Sequence, residues 1–284
     1  MDQISLRLMY IKKATLFLIW SAATLIAGEN PPVSTAAPPK EVQWPKPVDP
    51  PKPIENSIQA LTNSPLRTLG PGLFEIGQVR LDQRQRSITF PAVLNRSQGD
   101  MEYFLVTTYG KTHESILKTK AQPFHLHLAM LLLGAEAPGN NAFPGSPSNG
   151  VTGPIVHPSK EVLPGSKVSI EISWKTADGA TRHAAEDLIQ RKDLQPDLPP
   201  CSWIYNGSII FRNRFLAESD GSIISLVTDP VALINNIGPG HDNDRIWTAN
   251  TNNLPPVDVP VEVTITLEHA KTSSTSADGD THPK

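Results

Sequence analysis

The sequence is poor in residues on which many enzymes and nucleic-acid-binding proteins depend. It has one cysteine, Cys201, in 284 residues. A single thiol excludes an intrachain disulfide, an all-cysteine zinc site and an iron–sulfur cluster, which needs about four thiolates. Basic residues are not in excess: 25 Lys and Arg stand against 28 Asp and Glu, for a formal net charge of -3. Because phosphate binding needs a basic face, nucleic acid is not expected as a partner.

A long apolar run occurs only near the N-terminus. Residues 14–27 are apolar or small and follow the positive charges of Arg7, Lys12 and Lys13. This pattern predicts a secretory signal peptide over residues 1–27, because the run is shorter than the roughly 20 residues of a transmembrane helix. We therefore expect an exported protein, periplasmic or secreted, with no other membrane-spanning segment. An uncleaved N-terminal anchor is the alternative, and it too places the remaining chain outside the cytoplasm.

The 28 prolines divide the chain into regions. They recur through residues 28–68, which predicts an extended proline-rich linker. Residues 271–284 are rich in Ser, Thr and Asp without apolar periodicity, and this composition predicts a disordered tail. A single folded domain is left between them, over residues 69–270.

Alternating apolar and polar residues predict strands in this domain. In residues 168–175 and 261–268 every second residue is apolar, as in a strand with one buried face. Asp178-Gly179 predicts one hairpin turn, and Asp220-Gly221 predicts a second, between residues 209–218 and 222–228. Further strands are predicted at residues 78–81, 87–93 and 102–108. About eight closely spaced strands predict a mainly β fold, a β-sandwich-like domain.

One packed α-helix is predicted among the strands, because Pro123 suits a first helical position. The residues predicted to pack on a sheet recur at helical spacing: Phe124, Leu128, Leu131, Leu132 and Ala135. Residues 136–154 follow, rich in Pro, Gly and Asn. Loops of this length inside a domain are uncommon and tend to be functional or disordered.

Several short segments are similar to those of one bacterial family. They are GQVRLD at 77–82, RSITFPA at 86–92, the pair 102–103, GKTHES at 110–115, LLLG at 131–134, and residues 203–208, 220–221, 247–250 and 255–256. On these residues the chain resembles the YdjY-domain family of exported bacterial proteins, over roughly residues 70–268. The resemblance implies no reaction. Some relatives carry an iron–sulfur ferredoxin description, from which this sequence departs because Cys201 is its only thiol.

The GKTHES segment contains the candidate functional motif: Lys111, His113, Glu114 and Ser115. His113 also forms, with His125 and His127, a local concentration of imidazoles, which suit zinc, copper or iron. On a helix His125 and His127 would point to nearly opposite sides, whereas on an extended segment they would share a face. A divalent transition metal on these three histidines is therefore one hypothesis. The other is that one histidine bonds a buried carbonyl while another is solvated.

Other chemistries are incomplete in the sequence. His113 and Ser115 would share a strand face, as a hydrolase pair could, but no nucleophile-elbow glycines surround the serine. Residues 241–244 are oxygen-rich and suit either calcium or an acidic surface turn. Trp203 and Tyr205 alternate, and would either line a groove or pack in the core. Cys201 is expected to be a packed thiol.

No complete catalytic motif is present, and the charge is balanced. These observations favour a non-enzymatic binding or scaffold module of the cell envelope, with an unknown envelope protein or ligand as partner and without a cofactor. The alternative is a metal-binding protein or metal-dependent enzyme centred on His113, His125 and His127. In that case residues 136–154 would form a lid.

Overall fold

The computed structural model describes residues 66–139, 163–193, 201–211 and 214–269. The predicted signal peptide, most of the linker, residues 140–154 of the long loop and the predicted tail lie outside these ranges. Within them the first strand begins at Arg67, slightly before the predicted start of the domain.

The described residues form short strands and two α-helices. The strands are β1 (Arg67–Gly70), β2 (Leu73–Ile76), β3 (Val79–Asp82), β4 (Ser87–Leu94), β5 (Tyr103–Thr107), β6 (Ser115–Thr119), β7 (Ser166–Thr176), β8 (Gly179–Ala184), β9 (Ile189–Arg191), β10 (Trp203–Tyr205), β11 (Ile210–Phe211), β12 (Arg214–Phe215), β13 (Ser222–Ser225), β14 (Ile234–Asn236), β15 (Trp247–Ala249) and β16 (Pro260–Leu267). The helices are α1 (Pro123–Leu132) and α2 (Leu216–Asp220).

The main sheet closes on itself into an eight-stranded barrel. Its order is β4-β16-β7-β10-β14-β13-β5-β6, and β6 pairs again with β4. The mainly β character is confirmed, but the predicted β-sandwich is wrong. The reason is that β6 bonds both β5 and β4, which removes the two free edges that a sandwich would keep.

Each of the two long strands β4 and β7 pairs, along one of its edges, with two different strands, and this makes the closure possible. The first half of β4 pairs with β3, while Val93 and Leu94 at its end pair with β6. Pro91 stands between these halves, where its missing N–H breaks no ladder. The strand β7 likewise pairs with β10 at its start and with β8 further along. The strands β1 to β3 and β8 thus extend from the barrel wall.

The predicted alternation is confirmed in the strands that meet along the barrel wall. In β16, Val261, Val263, Ile265 and Leu267 are buried and belong to one core cluster. Their neighbour β7 buries Val168, Ile170 and Ile172 in the same cluster. The predicted hairpin at Asp178-Gly179 is also confirmed, since β7 and β8 pair antiparallel across it.

The second predicted hairpin, at Asp220-Gly221, is wrong. Residues before this pair form α2, and Gly221 ends that helix in the left-handed conformation with φ 78°. The strand after it, β13, pairs with β5 and β14 instead of folding back on the preceding residues. Glycine terminates helices as readily as it forms hairpin turns, so the same dipeptide serves either structure.

The predicted helix is confirmed over Pro123–Leu132, but its buried side is only partly the predicted one: Phe124 and Leu128 pack against the core and Ala135 is buried, as predicted. Its buried residues are Pro123, His125, Leu126, Ala129 and Met130. Leu131 and Leu132, predicted to pack on a sheet, remain 41% and 44% exposed. No helix within the described ranges combines the length and apolarity needed to cross a membrane.

Candidate functional site

A cleft of about 530 Å³ lies where three connections meet at the barrel wall. It is lined by Glu102, Tyr103, Lys111, Ser225, Val227, Thr228, Asp229, His241, Asp242 and Asp244. Most of these side chains are polar, and four are carboxylates. The cleft is therefore the described region best suited to bind a polar ligand.

Two unusually short connections shape the cleft. The strands β5 and β6 are parallel neighbours joined by residues 108–114, and β13 and β14 are parallel neighbours joined by residues 226–233. Parallel neighbours usually need a crossover of a dozen residues or more. Such short connections must run straight back along the strands, and they bring Lys111 and Asp229 to the same region.

A hydrogen-bonded chain links Lys111, Tyr103 and Asp229. The Lys111 ammonium donates to the Tyr103 hydroxyl at 2.6 Å, and this hydroxyl donates to Asp229 Oδ2 at 2.7 Å. The ammonium also lies 4.8 Å from the centre of the Tyr103 ring and 3.5 Å from Asp220. Burial and the Asp229 charge raise the pKa of Tyr103 far above its usual value. The phenol therefore keeps its proton and acts as a fixed hydrogen-bonding group.

Negative charge is concentrated on the other side of the cleft. Burial, followed by repulsion from Glu114 and Asp244, raises the pKa of Glu102. Asp242 and Asp244 are exposed, whereas His241 is half-buried, and its Nδ1 lies 2.7 Å from Thr228 Oγ1. The acidic loop recognised in the sequence at residues 241–244 thus forms one wall of the cleft.

One residue of the candidate motif lines the cleft, and the other three lie outside it. Lys111 lines the cleft, whereas the His113 side chain is 74% exposed and lies 3.5 Å from Glu114. The hydroxyl of Ser115 is buried and donates to the Leu117 carbonyl at 2.8 Å. No hydrogen bond joins Ser115 to His113 among the described residues, so the geometry does not assemble a hydrolase pair there.

The backbone of the motif is held by two side chains from the end of β4. Asn95 donates to the carbonyls of Thr112 and Ser115 at 2.6 and 2.8 Å, and Arg96 donates to that of His113. These contacts fix the short 3-10 turn that places Lys111 over Tyr103. The motif therefore has a structural part and one side chain in the candidate site.

A comparison with protein families identifies the domain. The sequence model of the YdjY domain matches residues 79–266, about two thirds of the chain. The protein belongs to the YdjY domain family. No curated protein and no solved structure matches the chain. The residues that line the cleft all lie inside the matched range.

The three histidines of the metal hypothesis have different surroundings in the YdjY domain. His113 is exposed, while His125 is buried against Gly77. His127 Nδ1 lies 2.7 Å from the Tyr205 hydroxyl, and burial lowers the pKa of His127 to about 4. Among the described residues no group of three or more His, Cys, Asp or Glu side chains is arranged to hold a metal ion. A transition metal on these histidines stays a prediction.

The remaining sequence candidates lie outside the cleft. Burial raises the pKa of the Cys201 thiol to about 12, so the thiol is protonated at neutral pH. Trp203 and Tyr205 are buried in the core of the YdjY domain, and Trp203 donates to Glu186 at 2.9 Å. Trp203 also lines, with Cys201 and Glu186, a second and smaller cavity of about 150 Å³.

Sequence reasoning did not assign Glu102, Tyr103 or Asp229 to a site. Glu102 and Tyr103 were named only as part of a predicted strand and of the family resemblance, because their role in the cleft depends on connections from distant parts of the chain. Asp229 directly follows the predicted strand at residues 222–228 and precedes Pro230. The signal that could have found it is the Asp-Pro pair, which favours a turn.

Proposed function

We propose that this YdjY domain is a non-enzymatic binding module of the cell envelope, and that its ligand binds in the cleft through a guanidinium group. The observation that carries the proposal is the cleft of about 530 Å³, whose lining includes four carboxylates and a single lysine. A volume of this size lies in the range of small-ligand sites.

The charges of the cleft favour a cationic ligand. The positive charge of Lys111 is already shared between the Tyr103 hydroxyl and Asp220. Among the described residues Glu102 and Asp242 have no ion pair, and Asp244 has one, with Arg245 Nε at 3.9 Å. Burial and, after it, repulsion from Glu114 and Asp244 raise the pKa of Glu102, and a positively charged ligand group would relieve that repulsion.

The hydrogen bonds of the cleft favour binding over catalysis. A general acid or base works best when its pKa lies near the operating pH. Tyr103 is held in its protonated form by burial and by Asp229, which removes it from that range. Its hydroxyl, with those of Ser225 and Thr228, lines the cleft as a hydrogen-bonding group that gives a ligand its orientation.

The proposal is tested by calorimetric titration of the purified full chain with arginine amide and, separately, with citrulline amide. The two probes have nearly the same shape, but only arginine amide carries the guanidinium charge. We expect arginine amide to bind, and citrulline amide to bind at least about tenfold more weakly, a difference of about 1.4 kcal/mol.

Matched variants locate the binding. The double variant Asp242→Asn, Asp244→Asn changes only exposed side chains and should weaken arginine amide binding by about tenfold. Glu262→Gln removes a carboxylate that pairs with Arg80 outside the cleft and should leave binding unchanged. Equal affinity for both probes, or calcium binding in place of arginine amide, would overturn the proposal.

A further inference from the structure

Two consecutive asparagines lie in the barrel wall behind the cleft. Asn235 and Asn236 end β14, and both are completely buried. A buried amide destabilises the fold unless its donors and acceptors find partners. The partners of these two side chains are one other asparagine and backbone groups, and the backbone groups lie in or beside the connections that form the cleft.

Asn235 holds the connection that carries Asp229. Its Oδ1 accepts a hydrogen bond from the Asp229 N–H at 2.7 Å, and its Nδ2 donates to Asn206 Oδ1 at 3.0 Å. Asn206, also fully buried, donates to the carbonyl of Pro164 at 2.6 Å. The Asp229 backbone is thereby tied to the interior through two amides.

Asn236 holds different groups. Its Nδ2 donates to the Leu226 carbonyl at 3.1 Å, and its Oδ1 accepts from the Gly238 N–H at 2.8 Å. Leu226 begins the connection from β13 to β14, and Gly238 precedes the acidic loop. Asn236 is therefore as buried as Asn235 and equally bonded, but it does not contact Asp229.

We propose that Asn235 is a positioning residue of the cleft. It fixes Asp229 so that the carboxylate accepts a hydrogen bond from the Tyr103 hydroxyl, and Lys111 donates to the phenol oxygen. Only Oδ2 of Asp229 bonds the Tyr103 hydroxyl, because Oδ1 accepts a hydrogen bond from the Val231 N–H at 2.9 Å. The carboxylate therefore has one orientation, and that orientation depends on where its backbone lies.

A second contact supports this role. Ser208 adopts a left-handed conformation with φ 61°, which is uncommon for a residue other than glycine. Its hydroxyl donates to the Val231 carbonyl at 2.5 Å. The connection is thus bonded to the interior on both sides of Pro230, by Asn235 before it and by Ser208 after it.

The inference rests on the cleft as the binding site, but its test needs no ligand, so the two proposals can fail separately. The full chain is labelled at the tyrosine ring carbon Cζ, and the Tyr103 resonance is assigned with Tyr103→Phe. In Asn235→Ala we expect this resonance to move, because the hydrogen bond from the Tyr103 hydroxyl to Asp229 is loosened.

Controls separate positioning from general destabilisation. Asn236→Ala removes an equally buried amide and should leave the Tyr103 resonance in place. In an Asp229→Asn background, Asn235→Ala should produce no further change, since its effect passes through Asp229. If Asn235→Ala does not fold, Asn235→Ser takes its place. An unchanged Tyr103 signal in the folded Asn235 variant, or an equal change in Asn236→Ala, would overturn the proposal.

Discussion

His127 joins α1 to the barrel through aromatic contacts and one hydrogen bond. Its ring centre lies 4.8 Å from that of Phe215, and its Nδ1 lies 2.7 Å from the hydroxyl of the buried Tyr205. Burial lowers the pKa of His127 from 6.5 to about 4, so the imidazole is neutral in the folded protein at pH 7. Acid must therefore weaken the fold at this residue.

Stability should fall between pH 7.5 and pH 4.5. In this window the unfolded chain binds a proton at His127 that the folded chain does not, so the free energy of unfolding decreases as the pH is lowered. We expect a loss of about 2 kcal/mol from His127, measured by urea unfolding at the two pH values. His127→Gln should remove that part of the pH dependence. A wild-type slope that survives in His127→Gln would contradict this assignment.

The helix α1 shows what the sequence could and could not predict about an element. Its position and its proline start were predictable, because Pro123 and a run of apolar residues are local signals. Its buried face was not, since apolar residues occupy both sides of PFHLHLAMLL. Packing against β3, β4 and α2 selects the side with Leu126 and Met130, and that choice depends on partners distant in sequence.

Two substitutions distinguish the faces of this helix. Leu126 is 1% exposed, so Leu126→Ala should lower the free energy of unfolding by about 2–5 kcal/mol through the cavity it leaves. Leu131 is 41% exposed, and Leu131→Ala should cost less than about 1 kcal/mol. Chemical denaturation of both variants checks the order. A larger loss of unfolding free energy in Leu131→Ala than in Leu126→Ala would show that the side with Leu131 packs, as helical spacing predicted.

The end of α2 depends on the absence of a side chain at Gly221. Its φ is 78°, and a Cβ there would lie 2.2 Å from Thr107 Oγ1 and 2.8 Å from the Gly110 Cα. Gly221→Ala should therefore cost at least about 2 kcal/mol in thermal or urea unfolding. Gly70→Ala is the matched control, because its Cβ would only meet Leu73 Cδ1 at 3.9 Å, and it should change stability by less than about 0.5 kcal/mol. Equal losses of stability in Gly221→Ala and Gly70→Ala would show that the left-handed turn does not require a residue without a side chain.

At the scale of the whole molecule, strand periodicity predicted the sheet but not its closure. The alternation in residues 168–175 and 261–268 identified two of the three longest wall strands, β7 and β16. The partner of β6 could not be read in the same way, because Val93 and Leu94 meet Lys118 and Leu117 only after the chain has folded. A sandwich and a barrel share the same local pattern and differ in this one pairing.

The closing seam should depend on Asn95. Its amide donates to the Thr112 and Ser115 carbonyls, beside the short β4–β6 pairing. Asn95→Ala should cost about 1–3 kcal/mol and accelerate hydrogen exchange in β6 more than in β16. Asn253→Ala removes a half-buried amide that bonds the Asp187 carbonyl elsewhere, and β6 exchange should not change in it. Uniform acceleration throughout the barrel would argue against a local seam.

The cleft is the other feature that only the folded molecule reveals. Lys111 was recognised in the sequence as part of a motif, and residues 241–244 as an acidic loop, yet nothing local related them to Asp229 or Tyr103. Two short parallel connections bring these groups together, and such connections are too rare to be predicted from turn signals. Sequence reasoning therefore identified charged residues of the site, but it did not show that they lie together.

The central claim is that the cleft binds a cationic group, and amide chemical shifts measured during an arginine amide titration test it most directly. The account predicts that the shifts that change cluster at residues 102–111, 225–229 and 241–244, while those of β2 and β8 stay constant. Changes spread evenly over the surface, or centred on residues outside the cleft, would contradict it.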